Sequence, residues 1–190
     1  MNLACVNEIF SKLGQIRAEL TKPSLVDSLV NQLKNQYSTL DLNAVNNFLT
    51  VGTGPGIYFL AAKFNFNTLK ELNKFGKSWG KIRGKNLPVG VPRYYPKRAK
   101  KHAPLIELGD FIPFYLGKGE NIRERFINHL NGSEESDTFS LKLLSRLDIL
   151  KNVSFKFSYI EFNIDAASYY GVEILEAELR VMLNPIIGKQ

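Results

Sequence analysis

Cysteine is nearly absent: Cys5 is alone in 190 residues. That excludes an internal disulfide and any zinc site built from several cysteines. No stretch is long and apolar enough to span a bilayer, so no membrane partner is expected. Residues 1–10 lack the basic start and apolar middle of a secretory signal, which makes an intracellular, reducing, cytoplasmic location the expectation. Acidic residues are missing from one long block. Residues 63–101 hold twelve Lys/Arg against the single Glu71, a net +11, whereas the whole chain carries +7. Positive charge confined to one block favours a polyanion partner over general solubility.

What is present suffices for a core. Hydrophobic content of 44% is ordinary for a globular chain, and 190 residues suit one domain with an appendage. The most informative stretch is Tyr115-Leu116-Gly117-Lys118-Gly119 and the segment after it. The apolar run 111–116 predicts a buried strand, Gly117 and Gly119 break it, and Asn121 caps a helix with Ile122, Phe126 and Leu130 on one face. Arg125 and His129 stand four apart, on the same face of that helix. A fixed cation beside an imidazole, just past a turn rich in backbone N–H groups, suits a phosphate ester.

Along the rest of the chain, Val6, Phe10, Leu13, Ile16 and Leu20 predict an amphipathic helix over 2–20. Pro23 opens a second helix, and 43–49 fits a third. Together they form a helical extension, residues 1–50, that serves packing, DNA contact or dimerisation. Gly52-Thr53-Gly54-Pro55-Gly56 leads into a strand over about 56–62. Leu69 to Phe75 fits a short helix. Beyond it, Gly76, Gly80, Gly84, Pro88, Gly90, Pro92 and Pro96 argue for irregular structure. Lys77, Lys81, Arg83, Lys85, Arg93, Lys97, Arg98, Lys100 and Lys101 lie in this region, with Trp79, Tyr94 and Tyr95 among them. The cations suit DNA phosphates, and the aromatics can stack on bases or pack the segment down. Residues 131–137 read as a polar loop and 139–150 as a short helix, alone or after a strand. Alternation over 153–160 predicts a half-buried strand, and a last helix runs from about 172 to Leu183, ended by Pro185.

The expected fold is α/β: a small, mostly antiparallel three-stranded sheet flanked by helices, with the N-terminal extension before a core of 51–190 and a basic insertion at 63–110. In order, Gly56-Ile57-Tyr58, Tyr115-Leu116-Gly117, Arg125, His129 and Glu176 resemble the GIY-YIG endonuclease superfamily. The first motif is literal, the second has leucine for isoleucine, and Glu176 stands nine residues before Pro185. The family's asparagine position holds Gly188, with Asn184 the nearest substitute.

The resemblance implies a DNA endonuclease that hydrolyses phosphodiesters with one divalent ion, Mg²⁺ or Mn²⁺, held by Glu176. It implies Tyr58 as general base or water-positioning group and Tyr115 as its orienting partner. Arg125 would be the phosphate clamp, and His129 the group that takes the proton or holds Tyr58. Lys118 would touch phosphate. A type II restriction endonuclease is the favoured subtype, with a repair or mobile-element nuclease second and a non-catalytic nucleic-acid-binding protein the rival. The partner would be double-stranded DNA, with room for a homodimer on it. Each residue alone has a plainer reading: aromatic packing for the tyrosines, a surface position for His129, and an i,i+4 salt bridge for Glu176 with Arg180.

Overall fold

The glycine-rich turn at 52–56 delivers the chain into the middle of a sheet. The computed structural model describes residues 3–42, 51–82, 85–86, 90–132 and 139–188. Two helices, α1 (Leu3–Leu20) and α2 (Pro23–Asn35), precede a short strand, β1 (Ser38–Leu40). The long strand β2 (Gly56–Phe64) is buried at every position but Lys63. Its run of apolar and aromatic residues fits a strand covered on both faces. Then come α3 (Leu69–Trp79), two short pieces β3 (Lys81–Ile82) and β4 (Lys85–Asn86), and β5 (Arg93–Tyr94). Next are α4 (Pro96–Lys101), α5 (Ala103–Glu107), β6 (Ile112–Gly119) and α6 (Ile122–Asn131). A 3₁₀ turn and α7 (Leu147–Leu150) lead to β7 (Val153–Glu161), and α8 (Tyr170–Leu183) and β8 (Ile187–Gly188) close the chain.

The main sheet has the order β1-β7-β2-β6, antiparallel throughout. It has four strands, not the expected three. The added strand is Ser38–Leu40, too short to show a period in sequence, which completes the β7 edge. Two apolar clusters cover the two faces. One joins Tyr58, Leu60, Phe114, Tyr115 and Phe155 to α3 and α6; the other joins Ile57, Phe59, Leu116 and Ile160 to α2 and α8.

The helix starts follow local chemistry. The Thr68 hydroxyl caps α3 by accepting from the Glu71 N–H and itself donates to the Glu71 carboxylate, and the Asn121 side chain accepts from the Glu124 N–H at 3.0 Å to cap α6.

The segment after Phe75 is more regular than its glycines and prolines suggest. Helix α3 runs on through Gly76, where a Cβ would lie 2.2 Å from the Tyr94 ring, so glycine is required by close packing. Pro96 starts a helix at its first turn, where its missing N–H costs nothing. Leu72, Phe75, Trp79, Ala99 and Ile106 from this region belong to the main core. The expected third helix at 43–49 and most of the polar loop 131–137 fall outside the described residues. Residues 139–143 form neither helix nor strand.

Candidate active site

The site lies at the outer edge of β6, where α6 from one face of the sheet and α8 from the other approach the same pocket. A cavity of about 190 Å³ there is lined by Tyr58, Tyr115, Gly117, Lys118, Arg125, Phe139, Tyr169, Glu176 and Arg180. Residues separated by more than a hundred positions in sequence are thus brought together.

A bulge in β6 makes this possible. Leu60 pairs with Tyr115 but Ala61 pairs with Pro113, which leaves Phe114 as an extra residue. Strict alternation would set Phe114 and Tyr115 on opposite faces. The bulge turns both toward the α6 side, so Tyr115 stands by Tyr58 with ring centroids 6.2 Å apart. Gly117 then sits under the Tyr58 hydroxyl, where a Cβ would lie 2.3 Å from that oxygen. The second motif needs its glycine because the first motif's tyrosine occupies the space.

Tyr58 is fully buried, and its Oη lies 2.6 Å from His129 Nε2. The backbone N–H of Leu141 donates to His129 Nδ1 at 2.9 Å. Nδ1 therefore carries the lone pair. Burial, with the Arg125 charge beside it, holds the His129 pKa well below its usual value, so the ring is neutral. A neutral ring with an unprotonated Nδ1 has its proton on Nε2, and that N–H donates to Tyr58 Oη. The Arg125 charge lies near the same oxygen and favours its ionised form, whereas the neighbouring Tyr115 disfavours it. Burial and then Tyr115 raise the Tyr58 pKa well above 10, against the opposing pull of Arg125, and Tyr115 is pushed up to about 12 by burial. Both rings are neutral at rest, with the Tyr58 oxygen held by the His129 N–H.

Arg125 is anchored by donation from Nη2 to the Phe139 carbonyl. The strap 139–143 thus fixes both α6 residues, Arg125 through Phe139 and His129 through Leu141; the Leu143 N–H also reaches the His129 carbonyl at 3.0 Å. Glu176 is only 4% exposed and pairs with Arg180 one turn along α8. Lys118 pairs with Glu173 and stands 5.0 Å from the Tyr169 ring centre at the pocket rim. Burial and the carboxylates of Glu120, Glu173 and Glu176 push Tyr169 up to about 12.

The expected catalytic set, Tyr58, Tyr115, Arg125 and Glu176, meets in one cavity, with Lys118 at its rim and His129 directly behind Tyr58. Asn184 is elsewhere: it caps α8 in the left-handed conformation, and its carbonyl accepts from His102 at 2.9 Å. Gly188 pairs with Arg93 between β8 and β5. Of the expected DNA-contacting cations, Lys77, Arg93, Lys97, Lys100 and Lys101 are exposed. Arg98 instead stacks 4.2 Å from the Tyr95 ring centre and donates to the Pro185 carbonyl. The side chains of Lys81 and Lys85, and all of Arg83, lie outside the described residues. Phe139, Leu141, Tyr169 and Arg180 are site residues that sequence reasoning did not assign. Only Arg180 had a signal, its i,i+4 spacing from Glu176.

No protein-family model matches the chain, and neither curated proteins nor solved structures include a significant match. A function must be argued from the pocket itself.

Proposed function

We propose that the chain is a metal-dependent DNA endonuclease that hydrolyses phosphodiesters, of the type II restriction kind in its finer assignment. The observation that carries this reading is the convergence of two tyrosines, a guanidinium and a buried carboxylate on one cavity open at a sheet edge. Among the described residues no cluster of three or more His, Cys, Asp or Glu could cage a metal. Among the described residues lining the cavity, Glu176 alone offers a carboxylate, which fits a hard ion that keeps most of its water, as Mg²⁺ does, and Mn²⁺ in its place. When bound there, such an ion supplies Lewis-acid stabilisation of charge on the phosphate and the departing oxygen.

The chain's own groups divide the remaining work. Arg125, held in place by the Phe139 carbonyl, clamps the phosphate as negative charge grows on its oxygens. Tyr58 and Tyr115 orient the attacking water between them. His129 fixes the Tyr58 oxygen from behind and, with no lone pair on Nε2, is a positioning residue and not the resting base. Lys118 exchanges Glu173 for a phosphate oxygen at the rim. The exposed cations of 77–101 supply the sequence-independent grip on the duplex.

The Glu176–Arg180 pair favours a second reading, a nucleic-acid-binding protein without cleavage, because Arg180 takes the carboxylate that the ion needs. A supercoiled-plasmid nicking assay with Mg²⁺ or Mn²⁺ decides between them. The nuclease predicts cutting by the wild type and a loss of roughly 10²–10³-fold in Glu176→Ala and in Arg125→Ala, with DNA binding retained. Binding without cutting under either metal selects the second reading.

A further inference from the structure

Helix α1 carries an apolar stripe that is exposed and that the described residues leave uncovered. Ile9 is 52% exposed, Phe10 66%, Leu13 40% and Ile16 43%, while Leu20 at the end of the helix packs onto the α2–α8 side of the core. Val6, Ile9, Leu13, Ile16 and Leu20 follow each other at alternating steps of three and four. That is the a/d seam of a two-stranded coil, and the flanking positions are Phe10 and Arg17 on one side and Cys5, Lys12 and Glu19 on the other. A single amphipathic helix laid on its own core has no need for so regular a seam at its exposed end.

We propose that α1 pairs with α1 of a second copy of this chain, antiparallel, about a two-fold axis near residues 14 and 15. The orientation follows from the flanking charges. A parallel pair sets Lys12 against the partner's Arg17 and brings two bodies of net charge +7 together at one end. The antiparallel pair sets Leu13 against the partner's Ile16, Ile9 against the partner's Leu20, and Lys12 beside the partner's Glu19. It also lays Phe10 along the stem of the partner's Arg17. Lys12 now pairs with Glu8 inside the helix, and Glu19 pairs with Lys22 just beyond its end, both exposed. Such pairs contribute little, so exchanging partners costs little. The contact is isologous and closes on itself as a dimer. This inference stands apart from the nuclease reading and does not depend on it.

Sedimentation equilibrium of the full chain, from about 5 to about 500 µM, tests the pairing. The expected result is a reversible monomer–dimer equilibrium, a dissociation constant raised at least ~10-fold by Ile9→Glu with Ile16→Glu, and unchanged circular dichroism, since both positions are exposed. Lys12→Glu weakens the dimer and Lys12→Glu with Glu19→Lys restores it. The lone Cys5 reports orientation: spin labels there lie about 30 Å apart in the antiparallel dimer, at ~1.5 Å per residue over about 19 residues, and within about 15 Å in a parallel one. A wild type that stays monomeric throughout overturns the proposal, including one that instead binds vesicles of anionic lipid. So does a dimer untouched by the double glutamate substitution, or a short label distance.

Discussion

In the pocket at the β6 edge the titratable groups are inside. Tyr58, His129 and Glu176 are buried, each with a polar partner, and Lys118, Arg125, Tyr169 and Arg180 are partly buried around them. In the segment from Lys77 to Lys101 the order is reversed. Trp79 is fully buried, its indole N–H donates to the Pro92 carbonyl at 2.9 Å, and the Arg146 guanidinium lies 4.1 Å from its ring centre. Tyr94 fills the space over Gly76 and bonds Asn73 at 2.8 Å. The cations Lys77, Arg93, Lys97, Lys100 and Lys101 point to solvent. Burial shifts pKa values and fixes geometry, which is what chemistry on a bond requires; exposure leaves a charge open to solvent and ions, which suits a diffuse polyanion. On the proposed reading, the two regions divide into a part that acts and a part that attracts.

The largest effect tests the buried side of the basic segment. Trp79→Ala removes a fully buried indole and leaves Arg146 without its aromatic cover, so the expected loss is about 3–5 kcal/mol of stability, read from urea unfolding. If the variant instead unfolds like the wild type and loses DNA affinity, Trp79 is a base-stacking residue and the division fails in this segment.

The next effect tests the exposed side. Lys97, Lys100 and Lys101 sit together on α4, so replacing all three by alanine removes charge without touching the core. DNA affinity is expected to fall about tenfold near ~0.1 M salt, and the slope of log affinity against log salt to flatten by up to about 3. Turnover at saturating DNA and the unfolding midpoint stay put. A drop in turnover at saturation places these lysines nearer the chemistry than their position on α4 implies.

Much of the pocket was legible because its residues sit at helical and strand spacings that survive folding. Arg125 and His129 lie one turn apart on α6 whatever packs against them, and the Asn121 cap fixed where that helix starts. The start of β2 follows from its glycine-rich lead-in, β7 from its alternation and the end of α8 from Pro185, while β2 runs two residues beyond the expected 62 and α8 starts two before 172. Features that depend on long-range contact were not legible. The bulge at Phe114 has no local signature, yet it decides which face Tyr115 joins. The Leu141 N–H that sets the His129 tautomer is a backbone group in an irregular strap, and backbone donors leave no trace in a sequence. Gly76 and Pro96 misled for the opposite reason: their usual disruptive meaning was overridden, at Gly76 by the Tyr94 ring and at Pro96 by a helix start.

The smallest effect separates two roles for His129. Its pKa is depressed in the folded chain, so between that low value and about 6.5 the unfolded chain binds a proton that the folded chain does not. Stability from this group is therefore complete above about 6.5 and declines as pH falls, by up to ~1.4 kcal/mol per pH unit. His102, depressed by burial as well, adds a second contribution of the same sign. In His129→Gln the acid-side slope should shrink toward that of His102 alone. Glutamine also offers an oxygen to the Leu141 N–H and an N–H to Tyr58, so a positioning role predicts a fall in cleavage of no more than about tenfold and an unshifted pH–rate profile. A role as the proton acceptor predicts a loss of about 10²–10⁴-fold and a changed profile. Only the first outcome agrees with a ring whose Nδ1 is occupied by a backbone donor and whose Nε2 already carries its proton.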